Sequence, residues 1–255
     1  MKAAVVIPAY NEAATIRDVA TRALAQLDCV IVVDDGSSDG TAGQLDGLDL
    51  LLLRNEQNRG KAASLWRGLQ RALELGFDAV ITLDGDGQHR PEDIPRVLAA
   101  AQAHPRHIVI ASRLKNREHA PPLRLFANRM ANFWISWAAG YFIADSQSGF
   151  RLYPAEVIRG ARIHTARRHS FVLESEILID AAQRGYRSVP VPIESLYFQA
   201  ARASHYRAAR DTIAIIRMVA LRLILRGMNL VGLVRVLASL LRPQRAFGKQ
   251  GSQDA

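Results

Sequence analysis

Short apolar runs alternate with segments of helical spacing through residues 1–111. The apolar runs are nearly continuous, which predicts strands buried on both faces of a sheet, at residues 3–7, 29–33, 48–53, 79–83 and 108–111. Helical spacing with favourable end residues predicts helices at 13–26, 61–75 and 91–103, and Asn11 is a candidate N-cap of the first. Strands that alternate with helices indicate an α/β fold with a mainly parallel sheet.

Polar clusters follow three of these strands. They occupy residues 8–12 after the first strand, 34–39 after the second and 84–86 after the fourth. The carboxyl ends of parallel strands lie at one edge of a sheet, and ligands bind there. The three clusters therefore predict a single site.

The pattern changes after residue 112. Residues 130–144 are uncharged and rich in Trp and Phe, residues 171–184 predict a helix, and residues 188–194 predict a further strand. Residues 206–241 have helical spacing with a break near Gly227. No segment reaches the roughly 18 uncharged apolar residues that a transmembrane helix needs.

The helical segment before Gly227 is amphipathic. At about 100° per residue, its basic half holds Arg207, Arg210, Arg217, Arg222 and Arg226. The opposite half holds Ile213, Ile216, Val219, Ala220, Leu223 and Ile224. Such a helix suits the surface of an anionic membrane. The alternative is a helix that packs on the core and exposes its arginines.

Net charge divides unevenly along the chain. The formal charge is +9 overall, with −5 over residues 1–100 and +14 over residues 101–255. A basic second half suggests an anionic partner, namely nucleic acid, lipid headgroups or phosphate, or else a soluble basic surface. The single cysteine, Cys29, excludes a disulfide framework and a cysteine-based zinc site, and it fits a reducing compartment.

Asp84 and Asp86 stand two residues apart directly after a predicted buried strand, and each is followed by a glycine. Two carboxylates on such a loop can close on one divalent cation, since Mg²⁺ and Mn²⁺ prefer oxygen ligands and share them with substrate phosphates. The alternative is a structural turn, because Asp-Gly pairs commonly form turns.

Other residues fit a nucleoside-diphosphate site. Asp34 and Asp35 end a strand where a ribose or base could donate to them. Residues 58–61 place two cations and a glycine at a helix start, an arrangement that suits phosphate. The chain has neither a Walker loop nor a Gly-x-Gly-x-x-Gly sequence after its first strand, which disfavours a P-loop or dinucleotide enzyme.

The ordered series of motifs resembles glycosyltransferase family 2, which has the GT-A fold. The matching stretches are VVIPAYNEAATI (5–16), VVDDGSSDGT (32–41), NRGKAASLWRGL (58–69) and ITLDGDGQHRPEDIP (81–95). Further stretches are similar to its polyprenyl-phosphate branch, typified by the dolichyl-phosphate mannose synthases: ASR (111–113), DSQSGFRLYP (145–154) and ESEILIDAAQRGYRSVPVPI (174–193). The resemblance covers roughly residues 3–206 and implies a Rossmann-like, mostly parallel sheet with helices on both faces.

The resemblance also implies roles for particular residues. The nucleotide-sugar donor would be bound by Pro8, Ala9, Tyr10, Glu12, Asp34, Asp35, Gly60, Lys61, Asp84, Gly85 and Arg202. A Mg²⁺ or Mn²⁺ ion would be held by Asp84, Asp86 and Gln88, and Glu174 and Glu176 would belong to an acidic patch. Catalytic roles would fall to Asp86, Arg113 and Arg151, and the acceptor would meet Arg129, Ser148, Gly149 and Arg151. Around Arg202 the chain reads ARASHYR, which departs from the usual Arg-x-x-Gly-x-Ser-Lys of the family.

The implied reaction transfers a sugar from a GDP- or UDP-sugar, with inversion, to a polyprenyl phosphate at the membrane. An acceptor phosphate is already an anion and needs no strong base. A hydroxyl acceptor, on a glycan, glycolipid or cell-envelope polymer, is the alternative, and Asp145 would then be the candidate base. Asp145 could instead cap a turn. A nucleic-acid-binding protein is a third hypothesis, but no nucleic-acid motif occurs and the aspartate clusters would repel phosphates, so no nucleic acid is expected.

These interpretations predict three segments. Residues 1–206 would form the catalytic domain, with a nucleotide-binding half at 1–111 and an acceptor-binding half at 112–206. Residues 207–242 would form basic amphipathic helices, and 243–255 a disordered tail. The expected location is cytoplasmic and peripheral, on the cytoplasmic face of the inner membrane. Of the histidines, only His89 lies beside the Asp84–Asp86 loop.

Overall fold

The computed structural model describes residues 1–112, 122–163, 172–194, 208–225 and 227–241. Its strands are β1 (Ala3–Ala9), β2 (Val30–Asp34), β3 (Leu51–Arg54), β4 (Ala79–Thr82), β5 (His107–Ser112), β6 (Arg151–Pro154) and β7 (Arg187–Pro192). Its α-helices are α1 (Ile16–Leu24), α2 (Lys61–Glu74), α3 (Ile94–Ala103), α4 (Pro122–Ala139), α5 (Ala155–Arg159), α6 (Leu173–Gln183), α7 (Ala208–Ile224) and α8 (Leu230–Leu241).

The strands form one mixed sheet in the order β3-β2-β1-β4-β6-β5-β7. β6 is antiparallel to both of its neighbours, and the other pairings are parallel. The mainly parallel sheet was predicted, but β6 was not, because a strand of four residues shows little periodicity. By joining β4 to β5, β6 places the loop before Arg151 beside the end of β4.

The two faces of the sheet are buried under different helices. Along β1, Val5 and Ile7 face the core that contains α1 and α3, whereas Ala4 and Val6 face the core that contains α2, α4 and α6. This alternation follows from the two-residue period of a strand. Burial of each large aliphatic side chain contributes about 1.5–3 kcal/mol. Helices therefore cover both faces, as predicted.

α2 is held close to the sheet by a residue without a side chain. Leu65 and Leu69 on its inner face are fully buried. Between them in the sequence, Gly68 packs so tightly against Val6 that an added Cβ would clash with the Val6 side chain and lie 3.0 Å from that of Val33. This close approach fixes the start of α2, and with it Lys61, at the sheet edge.

Two predicted helix starts are wrong. The first helix was expected from residue 13 with Asn11 as N-cap, but α1 begins at Ile16 after Thr15, because Asn11 has a left-handed φ of 55° and turns the chain. The third was expected from Pro91, but Pro91–Asp93 forms a 3₁₀ turn and the α-helix begins at Ile94. Both differences lengthen the loops at the strand ends.

The C-terminal helices break as predicted, at Gly227–Asn229, where Met228 has a φ of 64°. α7 packs on the core through Ile215, Met218, Val219 and Leu223. The face of α7 that packs on the core differs from the predicted apolar half. Ile216 and Ile224 are exposed, whereas Arg222 turns inward to Glu176.

Among the described residues, no single helix combines the length and apolar character needed to cross a membrane. The segments Ile215–Ile224 and Gly227–Leu241 meet these criteria only when taken together, and they are bent by 105°.

Candidate active site

Three strand ends bring the predicted polar clusters to one edge of the sheet. Ala9 pairs with Asp34 in the register of β1 and β2, and the Asp35 amide donates to the Ala9 carbonyl at 2.8 Å. The Leu83 amide donates to the Val6 carbonyl at 3.0 Å, which places residues 84–86 at the same edge. The structure joins the three clusters, as the parallel-sheet interpretation predicted.

The loops after β1 and β2 are tied together by side chains. Asn11 N donates to Ser37 Oγ, and Ser38 N donates to Asn11 Oδ1, both at 2.9 Å. Glu12 N donates to Thr41 Oγ1 at 2.8 Å. These bonds hold the left-handed turn at Asn11 and fix the predicted nucleotide-binding residues of the first loop, all buried or partly buried: Pro8, Ala9, Tyr10 and Glu12.

Asp34 is fully buried at the end of β2. Its Oδ1 accepts from the Ser37 amide at 3.0 Å. Arg54 Nε lies 3.2 Å from Oδ2, near enough for an ion pair, although Oδ2 accepts no hydrogen bond among the described residues. A buried carboxylate oxygen in this state can accept a donor from a ligand.

Asp35 organises the loop that precedes α2. Its Oδ1 accepts from the Arg59 amide and from Asn55 Nδ2, and its Oδ2 accepts from the Gly60 amide, each at 2.8 Å. The carboxylate thus points toward the loop at 58–61. Its predicted contact with a base or ribose stays a prediction.

Lys61, the first residue of α2, joins two carboxylates from distant parts of the chain. Its Nζ lies 2.7 Å from Asp84 Oδ1 and 3.2 Å from Glu174 Oε1. The three side chains are partly to largely buried, with 25%, 25% and 9% of their surfaces exposed. Burial alone lowers the pKa of Lys61, but Asp84 and Glu174 outweigh it and raise that pKa above its ordinary value. Lys61 is therefore a fixed cation at the strand ends.

Gly149 lies directly against the Asp84 carboxylate. A Cβ at position 149 would lie 2.8 Å from Asp84 Oδ1 and 2.9 Å from its Cγ, and closer still to Oδ2. Thr82 Oγ1 donates to the Gly149 carbonyl at 2.7 Å, which holds the two loops at this separation. Only glycine fits here without displacing Asp84.

Arg151 is buried and engaged by the protein itself. Its Nε donates to the Ser148 carbonyl at 2.7 Å, its Nη1 to the Glu174 carbonyl at 2.8 Å, and its Nη2 to the Ser146 carbonyl at 2.8 Å. Burial alone would lower its pKa, but Tyr153 and Glu174 raise the pKa above its usual range. The guanidinium therefore shapes the loop before β6, and its predicted contact with a substrate phosphate stays a prediction.

The remaining polar residues of that loop are also engaged. Ser148 Oγ donates to the Ala111 carbonyl at 2.6 Å. Asp145 is buried, and its Oδ1 accepts from the Gln147 amide at 3.1 Å, the geometry of a turn cap. Ser148 and Gly149 thus belong to this folded loop, whereas Arg129 is exposed on α4.

Asp86 and Gln88 close the loop after β4. Asp86 Oδ1 accepts from the Gln88 amide at 3.0 Å, and Gly87 between them has a φ of 74°. His89 is buried, with its ring 5.7 Å from the Phe150 ring, and its Nε2 lies 3.9 Å from Asp84 Oδ2. The loop therefore carries candidate oxygen ligands, with a buried imidazole next to Asp84.

The donor set of this loop fits a hard divalent cation. Asp84, Asp86 and Gln88 offer carboxylate and amide oxygens, and Mg²⁺ or Mn²⁺ commonly takes one or two protein carboxylates and completes its shell with substrate phosphates. Asp84 is already paired with the ammonium of Lys61, so an ion bound by Asp84 would compete with Lys61 for its carboxylate. Within the described ranges, no group of three or more His, Cys, Asp or Glu side chains is arranged to hold a metal ion. Substrate phosphates would therefore be needed to complete the coordination shell of an ion held by Asp84, Asp86 and Gln88.

The loop after β4 is held by side chains in and just before α1. Thr15 Oγ1 donates to the Gly85 carbonyl at 2.7 Å. Arg22 Nε and Nη2 each donate to one carboxylate oxygen of Glu92 at 2.7 Å. The paired hydrogen bond to Arg22 is the main cause that lowers the pKa of Glu92 to about 2. Thr15, the residue before α1, and Arg22 within α1 therefore hold the two ends of the segment that contains Asp86.

Some predicted residues lie elsewhere, and some contacts were missed. Arg113 and Arg202 fall outside the described residues. Glu176 is buried and pairs with Arg222 Nη2 at 3.0 Å, so it faces α7 and not Lys61. Asn55 was not predicted, although it follows β3 as the other polar clusters follow their strands, and that position was the available signal.

Comparisons with known proteins agree with this architecture. A model described as Glycosyl transferase family 2 matches residues 4–158. The UDP-N-acetylglucosamine–dolichyl-phosphate N-acetylglucosaminyltransferase of Methanococcus voltae is 31% identical over 235 residues, covering 81% of this chain and 88% of that protein. The polyprenol monophosphomannose synthase of Mycolicibacterium smegmatis is 29% identical over 201 residues, covering 74% and 75%.

A solved structure shows the same fold. The mannosyl-3-phosphoglycerate synthase of Rubrobacter xylanophilus superposes with a TM-score of 0.69 at 23% identity, covering 89% of this chain and 75% of that one. The sheet order, the helices on both faces and this superposition confirm the predicted GT-A fold. The extent of the family match and the assembled strand-end clusters show that the chain belongs to glycosyltransferase family 2.

Proposed function

We propose that this chain transfers a sugar from a nucleoside-diphosphate sugar to a polyprenyl phosphate, with inversion at the anomeric carbon. The observation that carries the proposal is the Asp84–Lys61–Glu174 cluster, a charged group of two carboxylates and one ammonium at the strand ends. The lipid acceptor is supported by relatives named for transfer to dolichyl phosphate and for synthesis of a polyprenol monophosphomannose.

The donor would lie across the tied loops at the ends of β1, β2 and β4. Asp34 Oδ2 is a buried acceptor for a donor of the base or ribose. The ammonium of Lys61 would offer its charge to the diphosphate, in competition with Asp84 and Glu174. Arg113 and Arg202 are proposed to add further positive charge there.

Asp84, Asp86 and Gln88 would hold Mg²⁺ or Mn²⁺, which neutralises charge on the departing nucleoside diphosphate when bound. Gly149 and Thr82 keep the Asp84 carboxylate in place. Arg151 keeps the loop at 145–150 folded against the end of β4 through its bonds to carbonyl oxygens. These residues orient the site, and catalytic roles for Asp86, Arg113 and Arg151 belong to the same proposal.

The acceptor would approach past Ser148, Gly149 and Arg129. A phosphate acceptor is ionised at neutral pH and needs no base to activate it. A hydroxyl acceptor would need one, and the bond from the Gln147 amide to Asp145 fits a turn cap. The division into a catalytic domain at 1–206 and helices at 207–242, and a location at the cytoplasmic membrane face, remain predictions.

A transfer assay tests the proposal. The protein is incubated with a panel of GDP- and UDP-sugars and a short-chain polyprenyl phosphate, with Mg²⁺, Mn²⁺ or a chelator, and the lipid product is measured by mass spectrometry. Metal-dependent formation of a sugar monophosphate lipid from one donor is the expected result. A parallel reaction supplies a glycan or glycolipid acceptor, and transfer only to that hydroxyl acceptor would select the alternative. Thermal unfolding is measured with the same nucleotides, and failure of every nucleotide to stabilise the protein would contradict a donor site.

A further inference from the structure

A cavity lies at the sheet edge opposite the candidate active site. His107 and Arg187 begin β5 and β7 and pair in register, so they mark the amino ends of parallel strands whose carboxyl ends face the site. A volume of about 480 Å³ opens here between these strands, the turn after α4, and α8. An adjoining volume of about 270 Å³ shares Tyr141, Arg187 and Arg235 with it.

The polar groups in this cavity can bind an anion. The Arg187 guanidinium lies 5.8 Å from the centre of the Tyr141 ring, and Tyr141 Oη is 3.0 Å from Ser188 Oγ. His107 Nδ1 is buried and has no hydrogen-bond partner among the described residues. Burial, His104 and Arg187 lower the pKa of His107, which favours the neutral form of its ring. A neutral imidazole leaves the charge of the cavity to its arginines.

The surroundings of the cavity are cationic. No carboxylate lines it in the part of the chain that is described. On the neighbouring helices, Asp180 is paired with Arg184 at 2.9 Å, and Glu156 accepts from Tyr186 Oη at 3.0 Å. The cavity therefore has a net positive charge, and its size is within the range of small-ligand sites, about 300–1,000 Å³.

α8 borders the cavity and presents a broad apolar face beside it. Gly232 and Val236 pack inward, and Arg235 is the one charged residue of the helix. The outward apolar side chains are 44–86% exposed and comprise Leu230, Val231, Val234, Leu237, Leu240 and Leu241. At about 100° per residue Arg235 lies at the margin of this face. An arginine beside an apolar helical face suits the headgroup layer of a membrane.

We propose that this cavity holds the headgroup of an anionic phospholipid while the exposed face of α8 enters the adjoining acyl layer. The charge of Arg187 and Arg235 complements a headgroup phosphate, and the apolar face beside them selects a lipid over a free phosphate. This surface lies away from the donor residues. The proposal therefore adds a membrane-anchoring site to the chain and does not depend on the sugar, nucleotide or acceptor.

Vesicle sedimentation tests the proposal without donor or acceptor, so its failure is separate from failure of the transferase reaction. The whole chain is mixed with vesicles of phosphatidylcholine alone or with added phosphatidylglycerol. The variant is Arg187→Gln/Arg235→Gln. The control is Arg71→Gln/Arg159→Gln, which removes the same charge from a half-buried arginine on α2 and an exposed arginine on α5, neither of which lines the cavity. Val234→Ser/Leu237→Ser tests the apolar face.

Wild type should bind the anionic vesicles preferentially. Arg187→Gln/Arg235→Gln should lower that partition at least about tenfold, because each basic side chain near an anionic surface contributes about fivefold. The control should bind as wild type does, and Val234→Ser/Leu237→Ser should weaken binding to both vesicle types. Equal loss of vesicle binding in Arg187→Gln/Arg235→Gln and in the control Arg71→Gln/Arg159→Gln would contradict the proposed site. So would stabilisation by glycerol phosphate without vesicle binding, or burial of α8 in a dimer.

Discussion

Gly149 and Asp84, 65 positions apart in the chain, are in direct contact at the candidate active site, with the backbone of one against the carboxylate of the other. The contact joins the loop before β6 to the loop after β4. It also explains why a glycine is needed at position 149, where any Cβ would overlap the carboxylate. The position of Asp84 therefore depends on a residue that carries no functional group.

Gly149→Ala should displace Asp84 and weaken donor use. We expect a loss of unfolding free energy of about 1–3 kcal/mol from overpacking, and at least a tenfold fall in kcat/KM for the nucleotide sugar. Gly43→Ala is the matched control, because nothing lies within 4 Å of a Cβ there. Transfer kinetics and thermal unfolding measure both effects. Unchanged kinetics in Gly149→Ala would mean that Asp84 has no part in donor binding.

Lys61→Met should both destabilise the fold and impair donor binding. Removing the ammonium leaves Asp84 and Glu174 facing each other without their shared cation. Because Lys61 is one quarter exposed, we expect a loss of about 1–3 kcal/mol, below the value for fully buried pairs. Lys61→Met/Glu174→Gln should recover part of the stability but not the affinity for nucleotide. Denaturant unfolding and nucleotide titration separate the two effects, and recovery of both would deny Lys61 a role toward the donor.

Glu92→Gln should remove a pH-dependent part of the stability. The folded pKa of Glu92 is lowered to about 2 from 4.5, so its stabilisation is present above pH 4.5 and is lost as the pH falls toward 2. Since Glu92 is 41% exposed, solvent screening limits the effect to about 1 kcal/mol. The difference in unfolding free energy between wild type and Glu92→Gln should vanish between about pH 4.5 and 2. Glu74→Gln, in an exposed pair with Arg71, is the control.

Arg151→Lys should lower stability, because one ammonium cannot replace a planar guanidinium that donates to three carbonyl oxygens. We expect a loss of about 2–4 kcal/mol, the range for a broken buried network. Denaturant unfolding measures it. Unchanged stability with a raised KM would instead place Arg151 in contact with a substrate.

The parts of the site that sequence could predict follow from two local signals. Apolar runs predicted the strands, and the polar residues that follow them predicted the edge of the sheet that holds the site. Asp34, Asp35 and Asp84 were identified in this way. Contacts between distant segments have no such signal. The bond of Asp35 to residues 59 and 60, the overlap of Gly149 with Asp84, and the inward turn of Arg222 depend on tertiary packing. β6 was missed for a related reason, because its place between β4 and β5 comes from its partners.

Asp86→Asn should abolish the effect of metal on nucleotide binding while leaving the fold intact. Asp86 is partly exposed on a loop that Thr15 and the Arg22–Glu92 pair hold from α1, so the change should cost less than about 1 kcal/mol. A nucleotide at a hundred times its Kd stabilises wild type by about 2.7 kcal/mol. If Asp86 holds the ion, thermal unfolding with GDP or UDP should show a shift that needs Mg²⁺ or Mn²⁺ in wild type and in the exposed control Asp49→Asn. The shift should be absent in Asp86→Asn. A metal-dependent shift that survives in Asp86→Asn would mean that other residues hold the ion. A shift of equal size in wild type without metal would mean that Lys61 and the arginines supply the positive charge for the diphosphate.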